Sequence, residues 1–222
     1  MTQVEGTAAA GTAPGGAAPA GRPTAGPTAR PILRGQHVYL RAGERADVPQ
    51  FVRWMNDARM ARFLTRRAPM GQADEERWFE RMVEQQGREG WFFVICLIEG
   101  NRPLGSTGLF DLDSINGSAG LGISIGDPGD WSRGWGTDAL NALVDFGVGE
   151  LRLERMWLDV YDFNARARRS YDKAGFILEG TLRHAHYHRG RHIDVHRMAI
   201  LREEWAALGR PKSWDLNEAA AD

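Results

Sequence analysis

Apolar positions first recur in a structured way at His37-Val38-Tyr39-Leu40-Arg41, where alternation predicts a strand. The phase then changes to helical spacing at Val48, Phe51, Val52 and Met55. A second helix is predicted over 74–86. There Asp74, Glu75 and Glu76 suit the positive end of the helix, Trp78, Phe79, Met82 and Val83 form an apolar stripe, and Gly87 and Gly90 follow. Two apolar runs, 91–98 and 104–110, flank the turn cluster Glu99-Gly100-Asn101-Arg102-Pro103 and should pair as a hairpin. A strand over 119–125 leads into Gly126-Asp127-Pro128-Gly129-Asp130, and Leu140, Leu143, Val144 and Val148 then mark a long amphipathic helix. A strand over 156–160 follows, then a short helix over 165–174 stopped by Gly175. A closing hairpin of 177–187 and 191–200 turns at His188-Arg189-Gly190. This order predicts a mixed sheet with helices on both faces, and no internal repeat is present.

Composition sets the limits of this domain. Residues 1–30 are almost all Ala, Gly, Pro and Thr with nothing to bury, so a disordered tail is expected over 1–33, a folded domain over 34–205 and a second tail over 206–222. The net charge of −1 and pI near 6.6 give no global attraction to nucleic acid or an anionic membrane surface. No run approaches a membrane span and the start lacks the pattern of a secretory signal, so a cytoplasmic protein is expected. The single cysteine, Cys96, lies inside Phe92-Phe93-Val94-Ile95-Cys96-Leu97-Ile98. It cannot form an intramolecular disulfide and is expected to be a buried strand residue.

Candidate chemistry concentrates in two segments. Trp131-Ser132-Arg133-Gly134-Trp135-Gly136-Thr137-Asp138 lies between a strand and a helix, where glycines let backbone amides converge and the helix start adds positive charge for a phosphate. It has neither the Gly-Lys-Ser/Thr ending of a P-loop nor a full dinucleotide fingerprint. The second segment is Asn164-Ala165-Arg166-Ala167-Arg168-Arg169-Ser170-Tyr171-Asp172-Lys173-Ala174-Gly175-Phe176. Together they resemble the GNAT acetyltransferase superfamily. Arg133 and Gly136 match its pyrophosphate loop, Asn164, Ala167, Tyr171, Gly175 and Phe176 match its later helix, and Asp138 stands where the loop pattern ends in Gly or Ala. Trp54-Met55-Asn56-Asp57 and Gly180-Thr181-Leu182-Arg183 are similar to the branch holding ribosomal-protein N-terminal and spermidine acetyltransferases.

The resemblance implies an α/β (α+β) GNAT fold, with a mixed, mostly antiparallel sheet of six to seven strands and a V-shaped splay between two central parallel strands. It also implies acetyl-CoA as co-substrate and transfer of its acetyl group to a primary amine on a peptide N-terminus, a polyamine or another small molecule. Ile123 and Ile125 would hold the pantetheine arm, and Gly134, Trp135, Gly136, Thr137 and Asp138 the pyrophosphate, with Arg133 supporting the turn. Asn164 would contact the pantetheine or the helix start, Tyr171 would protonate the departing thiolate, and Trp54, Asn56 and Asp57 would line the amine pocket. The strand glutamate that many relatives use as base is replaced by Gly120. Asp111, Asp113, Ser124 and a histidine of the last hairpin are the substitutes, and a CoA-binding module without catalysis is the alternative. Strand alternation would put His184, His186 and His188 on one face, yet no metal is expected because zinc-site spacing is lacking. Arg166, Arg168 and Arg169 are expected on a solvated face, no nucleic-acid partner is expected, and a homodimer is an admissible assembly.

Overall fold

Alternation in Val38-Tyr39-Leu40 sends neighbouring side chains into two separate cores. Val38 and Leu40 join a large cluster, whereas Tyr39 packs on the other face with Phe51, Trp54, Val94 and Cys96. A computed structural model describes residues 31–65 and 68–219 of the chain; residues 1–30 of the expected N-terminal tail lie outside the described residues. The strands are β1 Leu33–Arg34, β2 Val38–Ala42, β3 Trp91–Leu97, β4 Pro103–Asp113, β5 Ser118–Ile125, β6 Arg155–Tyr161, β7 Ile177–His188 and β8 Arg191–Leu201. They form one sheet in the order β1-β2-β3-β4-β5-β6-β8-β7. Every neighbour is antiparallel except the parallel pair β5 and β6. The eighth strand, beyond the six to seven expected, is the two-residue β1, too short to leave a pattern.

Helices α1 Val48–Met55, α2 Ala58–Ala61 and α3 Gln72–Gln85 follow β2; α1 packs on the face that carries Tyr39 and Cys96. Cys96 is fully buried, and burial raises its thiol pKa. On the opposite face α4 Trp135–Val144 buries Ala139, Leu140, Leu143 and Val144, and continues as a wide π-type turn over Asp145–Glu150. The helix α5 Ala165–Lys173 contributes Tyr171 to the same core.

The domain boundaries differ from those expected. Leu33 is a buried strand residue, so 31–33 belong to the domain. Beyond 205 the chain is ordered as well, in α6 Arg202–Ala207 and α7 Ser213–Ala219. Ser213 Oγ accepts from the Arg34 amide at 2.8 Å and donates to the Arg34 carbonyl at 2.7 Å, which closes the C-terminal segment onto β1. Asp145, almost wholly buried, accepts from Trp205 Nε1, both terminal nitrogens of Arg210 and the Ser213 amide. A charge this deep is stable because all its acceptor positions are filled, and residues 205–213 supply every donor.

Candidate active site

Only three pairs join β5 to β6, Ser118 with Arg155, Ala119 with Met156 and Gly120 with Trp157; beyond them the strands diverge. The Gly126 amide donates to the Leu104 carbonyl at 2.8 Å. Backbone groups alternate in direction along an antiparallel pair, so Ser124 and Gly122 bond toward β4 while Ile123 and Ile125 turn theirs into the gap. Trp131 Nε1 occupies the Ile125 carbonyl at 2.7 Å. The two expected strand contacts therefore narrow to both backbone groups of Ile123 and the amide of Ile125. The gap opens into a cleft of about 330 Å³, within the usual range for small-molecule sites.

One wall is the start of α4. Gly134 precedes it with φ 88°, and a Cβ there would meet nothing within 4 Å, so backbone conformation rather than space calls for glycine. The amides of Trp135, Gly136 and Thr137 are the unpaired first turn of the helix. Asp138 is used otherwise than expected: its amide donates to the Gly134 carbonyl at 3.0 Å. Its carboxylate accepts the amides of Gln36, His37 and Val38 at 2.8, 2.8 and 3.0 Å. Both groups are thus committed, and Asp138 ties the entrance of β2 to α4. Gly35 permits the approach, since a Cβ there would lie 2.2 Å from Asp138 Oδ1. Arg133 lines the cleft, donates through Nε to the Gly129 carbonyl at 3.2 Å and rests 5.3 Å from the Trp135 ring centre.

The facing wall is α5. Asn164 caps it, its Oδ1 accepting the Ala167 amide at 3.3 Å, and lines the cleft at the helix start. Tyr171 lines the cleft two turns later. Its hydroxyl has no hydrogen-bond partner among the described residues, and burial alone pushes its pKa up to about 12. A phenol in that setting holds its proton at neutral pH and has it available to donate.

The sequence missed the roof. Met60, Phe63 and Leu64, from α2 and the segment after it, line the cleft. Phe63 meets Trp131 edge-on at 5.8 Å and lies 5.9 Å from Phe163. Arg166, expected to be solvated, sits 3.7 Å above Trp131 and 5.1 Å from Phe63; desolvation lowers its pKa. The apolar pair Phe63-Leu64, which fits neither a strand nor a helix pattern, was the available signal.

The expected amine-pocket residues all make structural contacts, and Asn56 also borders a hollow. Trp54 is buried in the second core and lies so close to Gly126 that a Cβ there would be 2.0 Å from its ring. Asn56 clamps Met70, accepting from its amide at 2.7 Å and donating to its carbonyl at 2.8 Å. Asp57 caps α2, and its hydrogen bonds from Arg59 hold its pKa down to about 2. Of these three, only Asn56 borders a hollow, the one described below.

At Gly120, a Cβ would strike the Phe110 ring at 2.4 Å, and that ring stands edge-on to Trp157 at 5.5 Å. Aromatic packing therefore fills the place of the missing glutamate. Among the substitutes, Asp113 is bound into its own turn by Ile115 and Asn116, with its pKa lowered chiefly by Asn116. Asp111 does not line the cleft. Ser124 does, with its Oγ 3.3 Å from that of Ser106. His186 reaches the cleft through Tyr161, whose hydroxyl lies 3.2 Å from His186 Nε2 while the rings stack at 4.7 Å. His184 does not share that face: a bulge between Leu182 and His186, with His184 at φ 54°, breaks the alternation and stacks it on His192 instead. Among the described residues no three His, Cys, Asp or Glu side chains gather to hold a metal, and no helix is long and apolar enough to cross a membrane.

A splayed parallel pair beside an open helix start, with a buried phenol across the gap, forms a cleft that could hold a diphosphate-bearing ligand. The family model for the acetyltransferase (GNAT) domain matches residues 37–177, and the chain belongs to that family; acetyl-CoA is its co-substrate. The uncharacterized N-acetyltransferase p20 of Bacillus licheniformis is 26% identical over 173 residues, covering 77% of this chain and 96% of its own. The spermidine N(1)-acetyltransferase of Vibrio cholerae is 28% identical over 75% of this chain and 94% of its own. In structure, the Vibrio cholerae spermidine N-acetyltransferase in complex with CoA and spermine superimposes with a TM-score of 0.71 at 24% identity, covering 77% of this chain and 98% of that one. A ribosomal L7/L12 alpha-N-protein acetyltransferase in complex with CoA gives 0.69 at 20% identity, covering 77% and 97%.

Proposed function

We propose that the chain acetylates a primary amine by direct attack on acetyl-CoA held between β5 and β6, with Tyr171 as the acid. The observation that carries this reading is the pairing of unsatisfied backbone donors with a protonated, unpartnered phenol on opposite walls of one cleft. Acetyl-CoA supplies an activated acyl group and a thiolate leaving group. The amides of Trp135, Gly136 and Thr137 would take its diphosphate, with Arg133 beside them. Ile123 would bond the amide-bearing arm as an added strand does, and the Asn164 NH2 would support it.

Tyr171 would give its proton to the departing sulfur. The amine would lose its proton toward Tyr161 and His186, because this hydrogen-bonded pair borders both the cleft and the acceptor side. Two measurements test the reading. Calorimetry with CoA should show stoichiometric binding, and Tyr171→Phe should lower kcat by about a hundredfold, the usual weight of a general acid, while leaving the KM for acetyl-CoA nearly unchanged. A variant with the parent kcat removes Tyr171 from the chemistry, and absence of any heat with CoA removes the site.

A further inference from the structure

Beside the coenzyme cleft lies a second hollow of about 560 Å³, between the α1–α2 segment and the tip of the β7–β8 hairpin. Leu64 and Thr65 border both cavities, so the second opens toward the first. Among the described residues its lining includes no Asp or Glu; apolar residues such as Met55, Leu64 and Pro69 share it with His186, His188 and Arg189. In the coenzyme cleft the two carboxylates are already neutralised. Asp159 is held by Arg197 at 2.8 and 2.9 Å, and Asp130 by Arg102 at 2.6 and 3.0 Å.

The cations on this side are not matched. Arg62, Arg189 and Arg191 have no carboxylate partner among the described residues. Arg62 lies 5.2 Å from the Phe163 ring, which in turn stacks on His188 at 5.2 Å. Their fields reach His188: its pKa is lowered first by desolvation, then by Arg189, His186, Arg62 and Arg191. A polycation entering here meets positive charge and no carboxylate among the described lining residues, whereas a substrate with its own negative charge finds guanidinium groups without a carboxylate partner.

We infer that the acceptor is an amine carried close to a carboxylate, as at the amino terminus of an acidic peptide, and not a polyamine. This rests on the acetyl-transfer reading above and adds the charge of the substrate to it. The spermidine acetyltransferases to which the chain is similar are therefore a poor guide to its acceptor.

The full chain should be assayed for CoA release with matched peptides carrying Asp, Ala or Lys at the second and third residues, with spermidine, and with free aspartate as a small carboxylated amine. The acidic peptide should exceed the lysine peptide in kcat/KM by about tenfold or more, the effect of roughly 1.4 kcal/mol of charge complementarity at the acceptor hollow. Added salt should shrink that ratio, and Arg189→Glu should reverse it. Preference for aspartate over the acidic peptide would uphold the charge rule and assign the smaller carrier. An enzyme that binds CoA but turns over spermidine or the lysine peptide as well as the acidic one overturns this inference alone. Because the parent protein's ranking is itself decisive, the test stands even if the variant fails to fold.

Discussion

Replacing Asp145 with Asn tests whether the C-terminal segment belongs to the fold. Each Asp145 oxygen accepts two bonds: Oδ1 from Trp205 Nε1 at 2.8 Å and Arg210 Nη2 at 2.7 Å, Oδ2 from Arg210 Nη1 at 2.9 Å and the Ser213 amide at 2.8 Å. Asparagine keeps one such oxygen and turns an NH2 group toward the other two donors. Two lost charge-assisted bonds at about 1.5 to 3 kcal/mol each set an upper range of about 3 to 6 kcal/mol. The Arg210 side chain is 21% exposed and that of Asp145 only 2%, so water recovers part of the arginine's loss and about 3 kcal/mol is the working figure. At about 2 to 4 °C per kcal/mol for a chain of this size, Tm should fall by roughly 6 to 12 °C. Circular dichroism melts of parent and variant measure it, with CoA affinity as a control, since the phosphate-facing turn lies at the other end of α4. A shift of about 1 °C or less, typical of a surface substitution, would refute the reasoning.

Tyr39 and Tyr171 both have pKa values pushed up to about 12, with burial the first cause in each. In an alkaline titration followed by ultraviolet absorbance, two of the four tyrosines should therefore ionise late. A folded pKa above the unfolded one means stability is intact below pH 10 and falls as pH rises from 10 through about 12; four tyrosines titrating together near pH 10 would contradict this. Gly120→Glu should not raise the activity and should cost about 1 to 3 kcal/mol as Phe110 is driven off Trp157; a faster, equally stable variant would show the glutamate's place to be open. His186→Ala should lower kcat by about tenfold or more while leaving the KM for acetyl-CoA nearly unchanged, whereas an unchanged kcat would reduce His186 to a packing role.

Most of the sheet was legible because its strands are buried on one or both faces and carry strong alternation, as in Val38-Tyr39-Leu40 and Phe93-Val94-Ile95. Gly134 and Gly136 stood out as a strand-to-helix turn and Asn164 and Tyr171 through the family resemblance, and the structure brings all four to one cleft. The four-residue α2 and seven-residue α7 were not, since helices this short are held by tertiary contacts rather than by their own propensity. The same limit hid the pairing of Ser213 with Arg34, a contact that no local pattern encodes. Trp54 and Asp57 lie outside both cavities for a related reason: a motif can mark a fixed corner of the backbone as readily as a surface that meets substrate. For His184, a single left-handed residue inside a bulge was enough to reverse the face that strict alternation assigns.

The short ladder between β5 and β6 also has a mechanical meaning. Five strands on one side and three on the other behave as two plates sharing a seam of three rungs. A guest that bridges the open part of the seam acts as mortar, so the empty protein is the weaker object. At about one hundred times its Kd such a guest adds about 2.7 kcal/mol to the folded state, and a rise in melting temperature thus reports occupancy of the wedge without any catalytic readout.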